Sequence, residues 1–183
     1  MTKVIDWLYE KECTFFRLIN GRLHRNSMDH FFHLWTHLGG ATATISTSLL
    51  LLLFLPMHLK SWGIVCMLSL LISHIPVAIS KKMYPRKRPY LSLPDTNIGE
   101  NPLKDHSFPS GHTTAVFSIV TPLILLNPFI GIFLLVAALL VAISRMYLGL
   151  HYPSDVLAGM ILGISSSFFS LFLVNSFILP YFL

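Results

Sequence analysis

The chain has 183 residues, of which 54% are hydrophobic and only 11% are charged. Because a soluble domain carries roughly 25% charged residues, this composition excludes a soluble enzyme and an intrinsically disordered chain. The 13 Lys and Arg residues outnumber the 8 Asp and Glu residues by only five, which is too small a basic excess for an ordinary nucleic-acid-binding protein. We therefore predict an integral membrane protein with no nucleic-acid partner.

Residues 1–29 are predicted to form an amphipathic helix that lies on the membrane surface. Apolar residues recur there at helical spacing with charged residues between them. The apolar residues are Val4, Trp7, Leu8, Phe15, Leu18 and Ile19.

Four uncharged runs follow, over residues 30–59, 61–80, 107–144 and 156–183. A helix needs about 20 apolar residues to cross a bilayer. The third run contains Asn127-Pro128, and proline disfavours a helical conformation in the residue before it. This run is therefore predicted to supply two spans. The fold class is an all-α membrane bundle of five transmembrane helices, forming one domain over residues 1–183. Gly159 and Gly163 predict close helix packing inside that bundle.

The remaining polar residues are concentrated in two segments, 81–112 and 144–155. The second span ends at the first segment and the third span leaves from it. The fourth span returns to the same face just before the second segment. Both segments are therefore predicted to meet on one side of the membrane, where we place a candidate site.

Lys81 and Arg88 lie in the first segment, together with Pro85 and Pro89. Because proline breaks a helix interior, the helix carrying Lys81 is predicted to end near Met83 and to leave Arg88 on an extended segment. The two basic residues could anchor a helix end to lipid headgroups, or they could bind a phosphate.

The sequence Pro109-Ser110-Gly111-His112 precedes the third span. Proline is favoured in the first turn of a helix, so the N–H groups of Ser110, Gly111 and His112 are predicted to be free to bind phosphate. His112 could then donate a proton to a leaving oxygen. The alternative is an ordinary helix start with a histidine at the membrane interface.

Arg145, His151 and Asp155 form the second candidate set. Pro153 suits the first turn of the last span, which places Asp155 in that turn with His151 just outside it. A carboxylate bonded to one imidazole nitrogen leaves the other free as a nucleophile or base. Alternatively, Asp155 stabilises the helix N-terminus and Arg145 extends its charged end to the interface.

The combined set holds cations, a helix N-terminus, two histidines and one carboxylate, but no carboxylate cluster that could hold Mg²⁺. Phosphoryl transfer without a metal requires cations and oriented donors around the equatorial oxygens. The residues therefore predict a phosphatase that uses no cofactor.

These residues resemble the three-part signature of the type 2 phosphatidic acid phosphatase superfamily. The signature covers residues 81–155 and consists of Lys81 with Arg88-Pro89, Pro109-Ser110-Gly111-His112, and Ser144-Arg145 with His151 and Asp155. The resemblance implies a metal-independent hydrolase in which His151 attacks phosphorus, Asp155 orients His151, and His112 protonates the leaving oxygen. It also implies that the phosphoryl group is held by Lys81, Arg88, Ser110, Gly111 and Arg145.

The same resemblance implies a lipid phosphate or pyrophosphate substrate, with membrane lipids around the bundle. Resemblance to short bacterial members of the superfamily indicates that this substrate is undecaprenyl pyrophosphate. The alternative is broad action on phosphatidylglycerophosphate and phosphatidic acid, which Gly111 favours. We expect a multi-pass protein of the bacterial plasma membrane with an extracytoplasmic site. The positive-inside rule, which counts Lys and Arg residues, indicates the cytoplasmic face instead. Several Lys and Arg residues on this face are required to bind phosphate, however, so they report poorly on orientation. The oligomeric state stays open.

Two rival hypotheses belong to other classes. His30, His33 and His37 share one helix face and could bind a metal, although no His-Glu-x-x-His sequence accompanies them. Cys13 and Cys66 are too far apart to build a zinc cluster. The second rival is a non-catalytic lipid-binding or transport protein.

Overall fold

The computed structural model describes residues 2–99 and 102–178, which form an all-helical bundle. Over these residues the chain contains eight α-helices: α1 (Thr2–Arg17), α2 (Asn26–His37), α3 (Ala41–Phe54), α4 (Lys60–Met83), α5 (Pro89–Ser92), α6 (Gly111–Leu126), α7 (Pro128–Tyr147) and α8 (Pro153–Leu173). A wide helical turn, Leu18–Arg22, continues α1, and a similar turn, Val174–Ile178, continues α8.

The N-terminal segment differs from the single helix predicted over residues 1–29. The first helical stretch ends at Arg22, and α2 begins at Asn26. Arg25 between them is extended, because its N–H donates to the Tyr147 hydroxyl at 3.0 Å and its carbonyl accepts from that hydroxyl at 2.9 Å. This long-range clamp divides the predicted helix in two.

The helix α1 is amphipathic, but only part of its apolar surface is available to lipid. Val4 and Trp7 are more than half exposed. Cys13 and Phe16 are buried against the bundle. One face of α1 therefore packs on the protein while another remains exposed.

Three helical segments are long and apolar enough to cross a membrane, namely Met57–Met83, Pro128–Tyr147 and Pro153–Phe177. The helices α2 and α3 would give a fourth span if counted together, but they bend by 47° at the break between them. At this break Gly39 packs so closely on α6 that a β-carbon would lie 2.9 Å from the His112 carbonyl oxygen. With its 16 residues, α6 is shorter than the other spans. The structure thus supplies three or four candidate spans, so the predicted five are not confirmed.

The centre of the bundle is α6, which packs against α3, α4, α7 and α8. Its residues between Thr113 and Pro122 are almost all buried. The contact with α8 is close because Gly159 and Gly163 face it, and a β-carbon on Gly163 would lie 2.6 Å from the Thr114 carbonyl oxygen. The predicted packing of this glycine pair inside the bundle is confirmed.

Local sequence signals set the two ends of the bundle. Asn127 separates α6 from α7, as predicted, and its side-chain oxygen accepts the N–H groups of Phe129 and Ile130. At the opposite end α4 stops at Met83, also as predicted. The C-terminal ends of α4 and α7 converge there with the N-terminal ends of α6 and α8. The two polar segments consequently meet on one side of the bundle.

Candidate active site

His151 lies in the loop between α7 and α8, at the end of the bundle where the two polar segments meet. It is only 1% exposed. Its Nε2 lies 3.1 Å from Nη1 of Arg88, and its Nδ1 lies 3.7 Å from Oδ2 of Asp155. Burial, reinforced by the charges of Arg145 and Arg88, lowers the pKa of His151 to about 3, against the opposing effect of Asp155. The imidazole is therefore neutral near pH 7, and its Nε2 lone pair accepts the Arg88 N–H, because a guanidinium can only donate.

Asp155 is completely buried in the first turn of α8, where Pro153 begins the helix as predicted. Its Oδ2 accepts the N–H of Tyr152 at 2.8 Å and the hydroxyl of Ser107. Its Oδ1 accepts Nη1 of Arg86 at 2.8 Å. The carboxylate thus caps its own helix and is held beside His151 by several donors.

The helix start at residues 109–112 differs in detail from the prediction. Helix α6 begins at Gly111 with Ser110 as its N-cap, so Pro109 lies outside the first turn. The Ser110 N–H is not free, because it donates to the Asp155 carbonyl at 3.0 Å. The Ser110 carbonyl in turn accepts the N–H of Thr114, which starts the helical hydrogen-bond pattern. The amide groups of the first turn, beginning at Gly111, are those left to bind an anion.

His112 is half-buried at the start of α6, against the bend between α2 and α3. A β-carbon on Gly40 would lie 3.7 Å from His112 Nε2. The bend therefore forms one wall beside this imidazole, which the sequence pattern did not indicate.

Arg88 is fully buried and extended, as predicted, but it is already paired. Its Nε and Nη1 donate at 2.8 Å to the carbonyls of Asp105 and Leu150, and its Nη2 lies 2.6 Å from Oδ1 of Asp105. Lys81 Nζ donates to the same carboxylate. Burial would raise the pKa of Asp105, but Lys81 and Arg88 outweigh it and hold the pKa at about 2. The ionised carboxylate of Asp105, a half-exposed side chain, therefore neutralises two of the three predicted phosphate-binding cations.

Because Asp105 competes for these cations, replacing it with Asn is expected to lower the KM for a lipid phosphate. The Asp105 carboxylate is expected to oppose phosphate binding by about 1 kcal/mol, so its removal should lower KM by roughly fivefold. Steady-state kinetics would measure it, with the exposed Asp95→Asn variant as the matched control. A higher KM in Asp105→Asn would instead show that the carboxylate orients the two cations for substrate.

Arg145 differs from Arg88 in having unused donors. It is 2% exposed at the end of α7, and its Nη1 donates to the Thr36 hydroxyl at 2.6 Å. Its Nε and Nη2 have no hydrogen-bond partner anywhere in the described residues. Buried donors are rarely left unpaired, so this guanidinium is suited to bind an anion.

Three further polar residues contribute to the site, and the sequence pattern does not single them out. Arg86 binds Asp155, Ser107 donates to the same carboxylate, and Glu12 of α1 binds Arg86 at 2.6 Å. Arg86 belongs to the basic run that ends at Arg88, which was a usable signal. Nothing in the local sequence distinguishes Glu12 from its acidic neighbours.

The predicted histidine set lies on α2, beside a cavity of about 590 Å³. The cavity wall includes His24, His30, His33 and His37 together with Asp29. The His33 and His37 rings are 5.9 Å apart, and Asp29 pairs with His24 at 3.0 Å. Within residues 2–99 and 102–178, no three His, Cys, Asp or Glu side chains are grouped closely enough to hold a metal ion.

The model of the PAP2 superfamily matches residues 62–178, which include every predicted site residue. This match covers well over half of the chain. The chain belongs to the PAP2 superfamily. The resemblance predicted from the three-part signature is thereby confirmed, and the protein is an integral membrane protein with several apolar helices.

Known relatives agree with this assignment. An undecaprenyl-diphosphatase of Sulfolobus acidocaldarius is 35% identical over 127 residues, which are 69% of this chain. The match covers 61% of that relative, so this chain spans only about three fifths of its length. The crystal structure of LpxE from Aquifex aeolicus superposes with a TM-score of 0.78 at 30% identity and covers 87% of this chain and 93% of that one.

A second solved structure shows the same fold at lower identity. It is the PAP2-type phosphatidylglycerolphosphate phosphatase of Bacillus subtilis, with a TM-score of 0.76 and 21% identity over 93% of this chain and 87% of that one. The bundle geometry of this superfamily is therefore maintained although most residues differ.

Proposed function

We propose that the protein is a metal-independent lipid phosphatase that works through a phosphohistidine on His151. The observation that carries the proposal is the buried, neutral His151 between Arg88 and Asp155, with the unpaired donors of Arg145 at the same end of the bundle. Family membership supports the same reaction class. Asp105 and Asp155, two carboxylates of this site, are engaged by Lys81, Arg88 and Arg86. The unpaired donors of Arg145 are therefore available to balance charge on the phosphoryl group.

In the first step the Arg88 N–H moves from His151 Nε2 to a phosphoryl oxygen, Nε2 attacks phosphorus, and the bond from phosphorus to the leaving oxygen breaks. Asp155 faces Nδ1 and stabilises the positive charge that develops on the ring. His112 gives its proton to the leaving oxygen. In the second step His112 takes a proton from water, the water oxygen attacks phosphorus, and the phosphorus–nitrogen bond to His151 breaks.

Lys81, Arg88, Arg145, Ser110 and Gly111 are the residues proposed to hold the phosphoryl group. For Lys81 and Arg88 this requires substrate to displace Asp105 from their donors. For Arg145 no such displacement is needed, because two of its donor nitrogens, Nε and Nη2, are unused within the described part of the chain. Arg145 is therefore proposed as the first cation to meet the phosphate.

The proposed substrate is undecaprenyl pyrophosphate. Support comes from the Sulfolobus relative, which is named for this activity, and from a polar site at the ends of apolar helices, where a lipid tail would have access. The second candidate is broad action on phosphatidylglycerophosphate and phosphatidic acid. The residue Gly111 and the fold shared with the Bacillus phosphatase favour that reading.

Phosphate release from three lipids tests the proposal. Purified protein in detergent with EDTA would receive undecaprenyl pyrophosphate, phosphatidylglycerophosphate or phosphatidic acid. We expect chelator-resistant turnover, with the highest kcat/KM for undecaprenyl pyrophosphate. Comparable turnover of all three lipids would favour the broad phosphatase. Binding without turnover of any lipid would refute the enzyme and favour a lipid-binding or transport role.

We also propose that five segments cross the membrane and that the site faces outward. The bent pair of α2 and α3 would form one span, and the short, central α6 would cross surrounded by its neighbouring helices.

Cysteine labelling tests this topology. Cys13 and Cys66 are both buried and are not expected to react, so a single cysteine introduced at the surface can be labelled selectively. Lys87→Cys at the site end is expected to react with an impermeant maleimide in intact cells. Labelling of Met57→Cys instead would place the site inside.

A further inference from the structure

We propose that Glu12 and Arg86 are positioning residues that hold Asp155 against His151 and make catalysis depend on the docking of α1. This inference rests on the proposed phosphohistidine reaction. It assigns a role to two residues that are not among the signature residues. It also gives the N-terminal helix a role beyond lying at the membrane surface.

Arg86 joins three parts of the chain through one guanidinium. Its Nη1 donates at 2.8 Å to Oδ1 of Asp155 and at 2.8 Å to the hydroxyl of Ser154. Its Nη2 donates at 2.6 Å to Oε2 of Glu12. The guanidinium carbon also lies 3.9 Å from the centre of the Tyr152 ring. Arg86 is therefore fixed by two carboxylates and an aromatic face at once.

Glu12 extends this connection to the start of α8. Its Oε1 accepts the N–H of Ser154 at 2.9 Å and also the Ser154 hydroxyl. Tyr9 and Phe16 lie on the same face of α1 as Glu12, and their ring centres lie 6.1 and 5.9 Å from that of Tyr152. One face of α1 thus packs on the residues between His151 and Asp155.

Within the described residues Arg86 is the only charged partner of the Asp155 carboxylate, because the neighbouring His151 is neutral. Tyr152 and Ser107 occupy Oδ2, whereas Arg86 holds Oδ1. A buried carboxylate that loses its cation is strongly disfavoured and is expected to turn or to take up a proton. Either change would remove the group that orients His151.

Within the described part of the chain Arg86 donates to Asp155 and forms no hydrogen bond to His151, so it acts through Asp155. Its removal should therefore slow the chemical step without weakening substrate binding. Loss of Arg86 is expected to lower kcat by about 10- to 100-fold, as for other partners of catalytic groups, while KM changes by less than about threefold. A residue that held the phosphate would change KM as well.

The test compares Arg86→Gln and Glu12→Gln with matched charge-removing controls. Lys87→Gln is the control on the same loop and Glu10→Gln is the control on the same helix, because both side chains are exposed. We expect the two test variants to lose kcat and the two controls to retain it. The double variant Glu12→Gln/Arg86→Gln should be no slower than Arg86→Gln alone, since both changes disrupt one connection.

Additivity of the two changes, or a kcat for Arg86→Gln equal to that of Lys87→Gln, would overturn the inference. If Arg86→Gln does not fold, Arg86→Lys serves instead. A lysine keeps the charge but not the planar fork, so a partial loss of kcat with unchanged KM is expected. Guanidinium ions at millimolar concentration should restore kcat in Arg86→Ala, which a purely structural role would not allow.

Failure of the inference is distinguishable from failure of the proposed function. Wild-type turnover with an unaffected Arg86→Gln variant would overturn the positioning role alone. Absence of wild-type turnover on every lipid phosphate would overturn the phosphatase and this inference together.

Discussion

Replacing His151 with Ala is expected to reduce phosphate release by about 10⁴-fold or more, because the nucleophile of the covalent step is removed. The imidazole has no substitute at its position. Arg88 contacts Nε2 but carries no lone pair at any relevant pH, and Asp155 is held by three donors. The residual rate should approach that of a site which only binds and polarises the phosphate.

The measurement is turnover of lipid phosphate together with trapping of the covalent intermediate. Wild-type protein mixed with ³²P-labelled substrate and quenched rapidly should carry label that is stable to base and labile to acid, as a phosphorus–nitrogen bond requires. His151→Ala should carry none. His58→Ala, at the opposite end of the bundle, is the matched control and should label normally. Retention of more than a hundredth of the activity in His151→Ala would contradict the mechanism.

Substitution of Arg145 is expected to have the second largest effect. Its guanidinium is buried, and its Nε and Nη2 groups have no partner in the described part of the chain. Donors that are already oriented toward a developing charge need no reorganisation in the transition state. Arg145→Gln should therefore lower kcat/KM by about 10³-fold, in line with other arginines that stabilise phosphoryl transfer.

The conservative variant separates charge from geometry. Arg145→Lys retains the positive charge but offers a single ammonium in place of the planar fork, so a loss of about 10²-fold is expected. Thr36→Val removes only the hydroxyl that holds Nη1 and should cost less than either. Both kinetic constants and inhibition by inorganic phosphate would be measured. Inhibition that is equally strong in wild type and Arg145→Gln would show that Arg145 does not contact the phosphoryl group.

Several helix boundaries, at the candidate site and elsewhere, could be predicted because they are specified by local chemistry. Pro153 and Asp155 form a helix start whichever helix packs beside them, and Asn127-Pro128 breaks a helix in any surroundings. The end of α4 at Met83 follows from Pro85 in the same way. These signals act over a few residues, so they are readable without the fold.

The pairing of charged groups could not be predicted in this way. Nothing in the local sequence pairs Asp105 with a cation, and only the folded chain places it on Lys81 and Arg88. The five predicted spans are likewise not confirmed by the three or four segments that are long enough to cross. Counting apolar residues ignores the fact that a helix such as α6, enclosed by four others, can be short.

By itself the sequence determined the membrane class and the helix breaks, because composition, proline positions and caps act locally, and it named Arg88 and Asp155, which lie beside His151. Only the tertiary structure decided that Arg86 joins Glu12 to Asp155 and that Arg145 keeps unused donors. Glu12 and Arg86 are 74 residues apart, and Arg86 and Asp155 are 69 residues apart. Such contacts depend on how whole helices dock, and that docking is set by the shapes of all the faces that pack together.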